Sequence, residues 1–458
     1  MEIAPKYESK LPIVRVEKVL LVKSKSKSIV RDDAISPRIM FLSSIDQRFG
    51  AYQRNLLVFS GPEDPEVVSS GIKHAMEELL VSHDFFSGRF QRNHLTQKLE
   101  IRCDDSGAIL ASARADLRLE GLLASMDSIS HLFFCFPVDA RSIEELPMLT
   151  IQVTGLSGDT GFAIGVLCHH AITDATSGIS FLSNLASIAR GAGLLFHPNS
   201  DRSVFKARHP PQPSFPHHEF IHHPNLDSSR YAITLESAIC VGERSKRASG
   251  EIKRRKAFHF SFETLTHLKN SVLLSVPRGC TTFEALAAYV WRYAARYSKK
   301  VPEETSRLRF VLDIRRTVQP PLDATFVGNA IYWAHAEMTQ RDLVGEPLGA
   351  AVIEIQRARA QITDEYLRSG WDFLEENRNF WYSSGNCDVG INAWPRAMLG
   401  ARELDFGWGK PCRAVFPLDP ETSTVMFVPV DGGIDVSLCL FPHQLEQYSD
   451  FMPTFAKQ

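Results

Sequence analysis

The stretch from Phe162 to Gly178 constrains this chain more than any other. Phe162 to Cys168 is a nearly continuous apolar run, which reads as a strand buried on both faces. His169 and His170 follow without a spacer, then Ala171-Ile172-Thr173-Asp174. Beyond them Ile179, Phe181, Leu182, Leu185 and Ile188 recur at helical spacing, so an apolar helical face turns toward a core. Two histidines and an aspartate thus sit where a buried strand meets a helix, a rigid place to mount a catalytic group.

A chain of 458 residues has room for two or three ordinary domains around that junction. With 44% hydrophobic and 23% charged residues and a net charge of -2, it reads as a globular protein without a broad nucleic-acid or membrane surface. No run approaches the ~20 apolar residues of a membrane helix. Charges interrupt the stretch up to Ser28, which therefore lacks the apolar core of a secretory signal; a cytoplasmic location is expected. The eight cysteines are scattered and none form a C-x-x-C pair, so neither a zinc site nor a disulfide framework is expected.

Along the chain, Val14 to Leu21 reads as an opening strand and Leu56 to Phe59 as a second. Asp64-Pro65-Glu66 is a helix start, with a capping aspartate before a proline at the first helical position. Leu99 to Cys103 and Ala108 to Ala113 are short strands around the turn at Asp104 to Gly107. Leu149 to Val153 and Phe162 to Cys168 form a hairpin ending at the histidines. Prolines and histidines crowd residues 196–225; that composition predicts an exposed connector between two halves. Its histidines lack metal-site spacing.

The second half opens on a basic run that includes Arg244, Lys246, Arg247, Lys253, Arg254, Arg255 and Lys256. It is either a solvated loop or a landing place for a phosphorylated ligand. Thr281 and Glu284 can make a capping box for a helix through Trp291. Phe310 to Asp313 is a buried strand, and a single helical stretch is expected over Leu348 to Leu367. Strands near Val425 to Val430 and Ile434 to Phe441 close the chain. Strands and helices mix without strict alternation, which predicts mixed α/β layers in each half.

A histidine with a near-neutral pKa can take a proton from an attacking hydroxyl or amine. No Gly-x-Ser-x-Gly nucleophile elbow surrounds the pair. Cys168 should face away from His169, because neighbouring residues of a strand alternate sides.

Several ordered segments resemble the plant BAHD family of acyl-CoA-dependent acyltransferases. His170-Ala171-Ile172-Thr173-Asp174 is similar to its HxxxD motif, and Asp405-Phe406-Gly407-Trp408-Gly409 to its DFGWG motif. Leu42-Ser43-Ser44-Ile45-Asp46, Thr281 to Arg292, Asp313 to Arg316, Pro320-Pro321-Leu322 and Gly328-Asn329-Ala330 match further family segments. The resemblance implies an α/β fold of two similar-sized chloramphenicol-acetyltransferase-like domains, each a mixed sheet with helices, joined by a long crossover loop. Residues 1–195 would be the N-terminal domain, 196–240 the crossover and 241–458 the C-terminal domain. A channel between them would bring acyl-CoA, the co-substrate, to a small-molecule acceptor, with no permanently bound cofactor and no metal. A monomer is expected.

The implied mechanism is direct transfer without an acyl-enzyme, with His170 as general base. Asp174 would support the loop by pairing with an arginine. Asp405 would also be structural, paired with Arg315. Trp394 could supply an indole N–H to the oxyanion, and Lys253, Arg254 and Thr282 could contact CoA. The implied product is an ester or amide of a plant specialised metabolite, with a hydroxycinnamoyl or other aromatic acyl group. Two rivals remain: a non-catalytic BAHD-like protein assisting fatty-acid elongation, and a carrier-protein-dependent condensation enzyme. One departure stands out. Ala175 replaces the family's usual glycine, which would be strained if that position needs positive φ.

Overall fold

The strand that carries the histidines, Gly161–His169, is buried at all nine residues. In the computed structural model, which describes residues 14–25, 36–135, 140–222, 253–381, 387–416 and 424–453, it sits inside a six-stranded sheet. The order is Val14–Val22, Ala108–Ala115, Leu149–Leu156, Gly161–His169, Tyr52–Ser60 and Arg413–Val415. Its hairpin partner pairs from Leu149 with Cys168 to Gly155 with Phe162, as the sequence predicts. On the other side Tyr52 pairs with His169. Strands with neighbours on both edges and helices against the sheet account for the unbroken apolar run. The helices Pro65–Ser82 and Ala175–Ala189 share this core through Ile72, Met76, Leu79, Phe181 and Leu185. The first starts as expected: the Asp64 side chain accepts from the Glu66 N–H, and Pro65 follows.

The two strands around the Asp104–Gly107 turn go to different sheets. Leu99–Cys103 pairs with Arg38–Phe41 and Arg89–Arg92 in a small three-stranded sheet, whereas Ala108–Ala115 joins the large one.

A second six-stranded sheet orders Arg254–Ser261, Gly433–Leu440, Thr424–Val430, Val389–Ala393, Thr305–Asp313 and Ile331–Thr339. It mixes parallel and antiparallel pairs, and helices Thr282–Arg296 and Leu348–Gln361 pack into its core around Trp291 and Ile355. The capping box forms, with Thr281 and Glu284 bonding reciprocally. The single helix expected over 348–367 is instead two, Leu348–Gln361 and Asp364–Glu376. Ile362 leaves helical geometry (ψ 84) and the Thr363 side chain caps the next helix through the Tyr366 N–H; a good N-cap competes with continuation.

The fold is therefore mixed α/β with one six-stranded sheet in each half. The chain passes from the first half to the second, back to the first sheet, and again to the second. Residues 196–222 run from the first half toward a third apolar cluster that joins Phe205 and Phe220 to Tyr332 and Trp371. The short strand Arg413–Val415 returns to the first sheet, pairing with Leu56 to Val58. Residues 223–240 of the expected crossover, and Arg244, Lys246 and Arg247, lie outside the described residues. Among the described residues no helix is long and apolar enough to cross a membrane.

Candidate active site

At the end of the buried strand the backbone stays tied on both sides: His169 N–H donates to Met148 O, and His170 N–H to Ala51 O, both at 2.9 Å. The two imidazoles then meet different surroundings. His169 is fully buried, with edge-on contacts to Tyr52 at 5.0 Å and Phe90 at 4.8 Å. Its Nδ1 accepts from the Ala171 N–H at 3.2 Å, so the neutral ring carries its proton on Nε2. Burial first, and the neighbouring His170 second, push its pKa down to about 3. His169 is a packed turn residue that does not exchange protons near neutrality.

His170 keeps partial exposure and stacks flat on Phe49, with centroids 3.9 Å apart and planes 3° apart. Phe49 in turn stacks on Trp333 at 5.4 Å. Burial lowers the His170 pKa below its ordinary value, opposed by its own carbonyl, the Asp174 charge, Asn329 and the Thr173 backbone. The ring is therefore neutral and able to accept a proton at neutral pH.

Asp174 caps the helix Ala175–Ala189, accepting from the Ser177 N–H at 2.8 Å. It also accepts from Arg315 Nη2 at 2.9 Å and from the Ala330 N–H at 3.0 Å. Burial alone would raise its carboxyl, but Arg315 and these donors hold it below the usual range. Ala175 is the first residue of that helix and is absent from the residues with positive φ, so alanine is unstrained there.

Two residues that sequence reading did not single out complete the loop. Ser177 Oγ accepts from Arg315 Nη2 at 2.8 Å and the Gly328 N–H at 3.0 Å, and donates to Gly328 O at 2.9 Å. Asn329 Nδ2 donates to His170 O at 2.7 Å and to Asp46 Oδ1 at 2.8 Å. Asp46 is fully buried, takes further bonds from the Ser43 N–H and Oγ at 2.9 Å, and faces Arg202 at 3.4 Å. Arg202 donates to Ile172 O at 2.9 Å. The segments around Asp46, His170, Arg315 and Asn329 are thus one network. Serine and asparagine carry no local signal for such roles; only their place in motif-like segments could have flagged them.

Asp405 is not paired with Arg315, contrary to expectation. Its Oδ1 accepts from Gly407 and Gly409 N–H at 2.8 and 3.1 Å, and Arg190 Nη1 donates to its carbonyl at 2.6 Å. Arg190 ends the helix that Asp174 begins; at 1.5 Å per residue those ends are roughly 22 Å apart. Arg315 is committed to the Asp174 end. Around Asp405 the glycines take φ of 102° and 85°, conformations that suit glycine. Phe406 and Trp408 pack into the first core, against Phe59 and Phe162.

Trp394 follows the strand Val389–Ala393 and meets Phe416 edge-on at 6.5 Å; the ring stacked on His170 is Phe49. Lys253 lies over the Phe441 ring at 5.3 Å, Arg254 is exposed on the outermost strand of the second sheet, and Thr282 is the half-buried first residue of its helix. Cys168 is buried, and burial pushes its thiol far up, which leaves it no nucleophilic role. Among the described residues no group of three or more potential ligands could hold a metal.

Comparison with known proteins identifies the family and the fold. The family model described as "Transferase family" matches residues 20–453. Omega-hydroxypalmitate O-feruloyl transferase of Arabidopsis thaliana is 28% identical over 420 residues, covering 89% of this chain and 87% of that protein. Vinorine synthase shares the fold with a TM-score of 0.70 at 18% identity, covering 95% of this chain and 96% of the other. F. graminearum TRI101 complexed with coenzyme A and T-2 mycotoxin superimposes with a TM-score of 0.70 at 15% identity, covering 90% and 97%. The chain belongs to this transferase family, the BAHD acyltransferases, and is an acyl-CoA-dependent acyltransferase.

Proposed function

We propose that the protein transfers an aromatic acyl group of hydroxycinnamoyl type from its CoA thioester to a hydroxyl or amine of a small acceptor, with His170 as general base. The observation that carries this is the contrast at the strand end: His169 is sealed, whereas His170 is braced by its backbone and keeps part of its surface open. The feruloyl donor named for the Arabidopsis relative supports the aromatic acyl group.

Asn329 braces the imidazole through its backbone in this reading. Both of its amide hydrogens are spent on His170 O and Asp46. His170 Nδ1 is buried without a hydrogen bond, and Nε2 is not, so Nε2 is the basic nitrogen turned to the acceptor.

The acceptor O–H or N–H gives its proton to Nε2 as its heteroatom attacks the thioester carbonyl. The tetrahedral oxyanion collapses, the C–S bond breaks, and the departing CoA thiolate takes the proton back from the imidazolium. Ester or amide and free CoA are the products, and no acyl-enzyme forms. Trp394 is the proposed oxyanion donor: among the described residues its half-buried indole N–H has no hydrogen-bond partner. Losing such a donor costs about 10² to 10³ in turnover. Lys253 and Arg254 suit the phosphates of CoA, since Arg254 is exposed and has no carboxylate partner among the described residues; Thr282 lines the approach. Asp174 and Asp405 hold the loop and the returning segment and move no proton. The passage lies between the halves 1–195 and 241–458, and one chain supplies every group.

The test is incubation with a panel of CoA thioesters and acceptor alcohols and amines, reading thiol release and product mass. Aromatic thioesters should be turned over to O- or N-acyl products. Thiol release confined to aliphatic or malonyl donors would overturn the acyl assignment. No thiol release from any CoA donor would favour the non-catalytic or carrier-protein-dependent readings.

A further inference from the structure

Trp333, at the end of the stack on His170, is also a wall of a hollow of about 680 Å³. The hollow's floor carries a carboxylate where an apolar acceptor would offer it nothing. Glu219 is only 6% exposed. Its Oε1 accepts from Tyr332 OH at 2.7 Å and bonds His217 Nδ1 at 2.8 Å, and its Oε2 accepts from Tyr366 OH at 2.8 Å. Burial alone would raise the carboxyl, yet His217 and the Tyr332 hydroxyl hold it below the usual range. Among the described residues no lysine or arginine pairs with Glu219, and Oε2 keeps an acceptor position open.

The rest of the lining has the same sense. Glu365 is exposed on the rim and has no cationic partner among the described residues. Glu337 and Glu354 are neutralised by Arg307 and Arg357, at 2.7 and 2.6 Å. Phe215, Trp333 and Tyr366 supply aromatic rings. His335, on the same wall, has a buried Nδ1 without a partner, and burial holds its pKa near 4; it stays neutral and repels no cation. An ionised Glu219, whose charged partner is the buried His217, and a rim Glu365 without a cationic partner, set beside ring faces, attract a cationic nitrogen. An alkyl chain there would strip water from Glu219 and return no hydrogen bond.

We propose that this hollow is the acceptor site and that the acceptor carries a protonated amine, seated on Glu219 and the surrounding rings. Its nucleophilic hydroxyl or second amine would reach His170 past Trp333 and Phe49. This rests on the acyl-transfer reading and adds the acceptor's charge to it.

The test compares 6-aminohexan-1-ol with heptan-1-ol, which differ by an ammonium against a methyl group. Binding is measured by calorimetry on the His170→Ala protein, and transfer from 4-coumaroyl-CoA on the wild type. The amino alcohol should bind and react at least about ten-fold better, with affinity falling as salt rises. Glu219→Gln should remove most of that preference. Glu365→Gln, on an exposed side chain that cannot endanger folding, should weaken amine binding about two- to five-fold and leave heptan-1-ol binding unchanged. Equal or tighter binding of heptan-1-ol, or amine binding indifferent to both variants, would overturn the proposal. Preferential amine binding with no thiol release from any donor and acceptor would instead overturn acyl transfer, and the acceptor role with it.

Discussion

Replacing Asp174 by asparagine keeps the shape of the loop and removes one charge. Asn can still accept the Ser177 N–H, so the cap survives. What is lost is the charge facing Arg315, whose side chain is only 14% exposed, and the acceptor of the Ala330 N–H. Breaking a buried ion pair by removing one member costs about 3–5 kcal/mol. Asp313 remains 3.3 Å from Arg315, which places Asp174→Asn at the lower end, about 3 kcal/mol. Asp174→Ala also forfeits the cap, a further ~1 kcal/mol. Urea unfolding followed by tryptophan fluorescence reads both. The Asp174 charge favours the protonated form of His170, so neutralising it should also move the acid limb of kcat/KM to lower pH. Stability within 1 kcal/mol of wild type, together with a fall in kcat of about 10³ or more and an acid limb moved upward, would refute a bracing role.

Three further outcomes follow from the same geometry. Because burial lowers the His170 pKa and the neutral ring is the base, kcat/KM should fall only below about pH 6.5, the ordinary histidine value; an acid limb above that value would contradict the burial. Asn329→Ala leaves His170 O and Asp46 Oδ1 without a donor, at about 1–3 kcal/mol for each buried atom; kcat should drop while KM for the thioester holds, as steady-state kinetics would show. Gly407→Ala forces a side chain onto a φ of 102°, 3.3 Å from Arg190 Cβ, and should cost about 1–3 kcal/mol in the urea transition with KM unchanged.

The parts legible in the sequence are those whose signal is local. The apolar run before His169 and the helical spacing after Gly178 put a buried strand, a turn and a helix where they are found. Asp64-Pro65 and Thr281 with Glu284 declare their own helix starts. The break at Ile362–Thr363 was hidden because helix-forming residues continue across it and only the cap decides. Strand Ile331–Thr339 gave little alternation, since Tyr332 and Trp333 are both aromatic and both bury surface, one inside the third cluster and one against it and the Phe49 ring. The partner of Arg315 was misread because two aspartates competed for it, and only the length of the intervening helix separates them. The Glu219 hollow is assembled from the crossover, an edge strand and two helices, so no single stretch announces it.

The most direct measurement is thiol release from 4-coumaroyl-CoA in the presence of acceptor, comparing wild type with His170→Ala at equal protein concentration and matched urea stability. We expect the variant to lose about 10² to 10⁴ in kcat, with no acylated protein detectable by mass in either form. Undiminished turnover in a folded His170→Ala protein, or a stable acyl adduct on the wild-type chain, would contradict direct transfer by this imidazole.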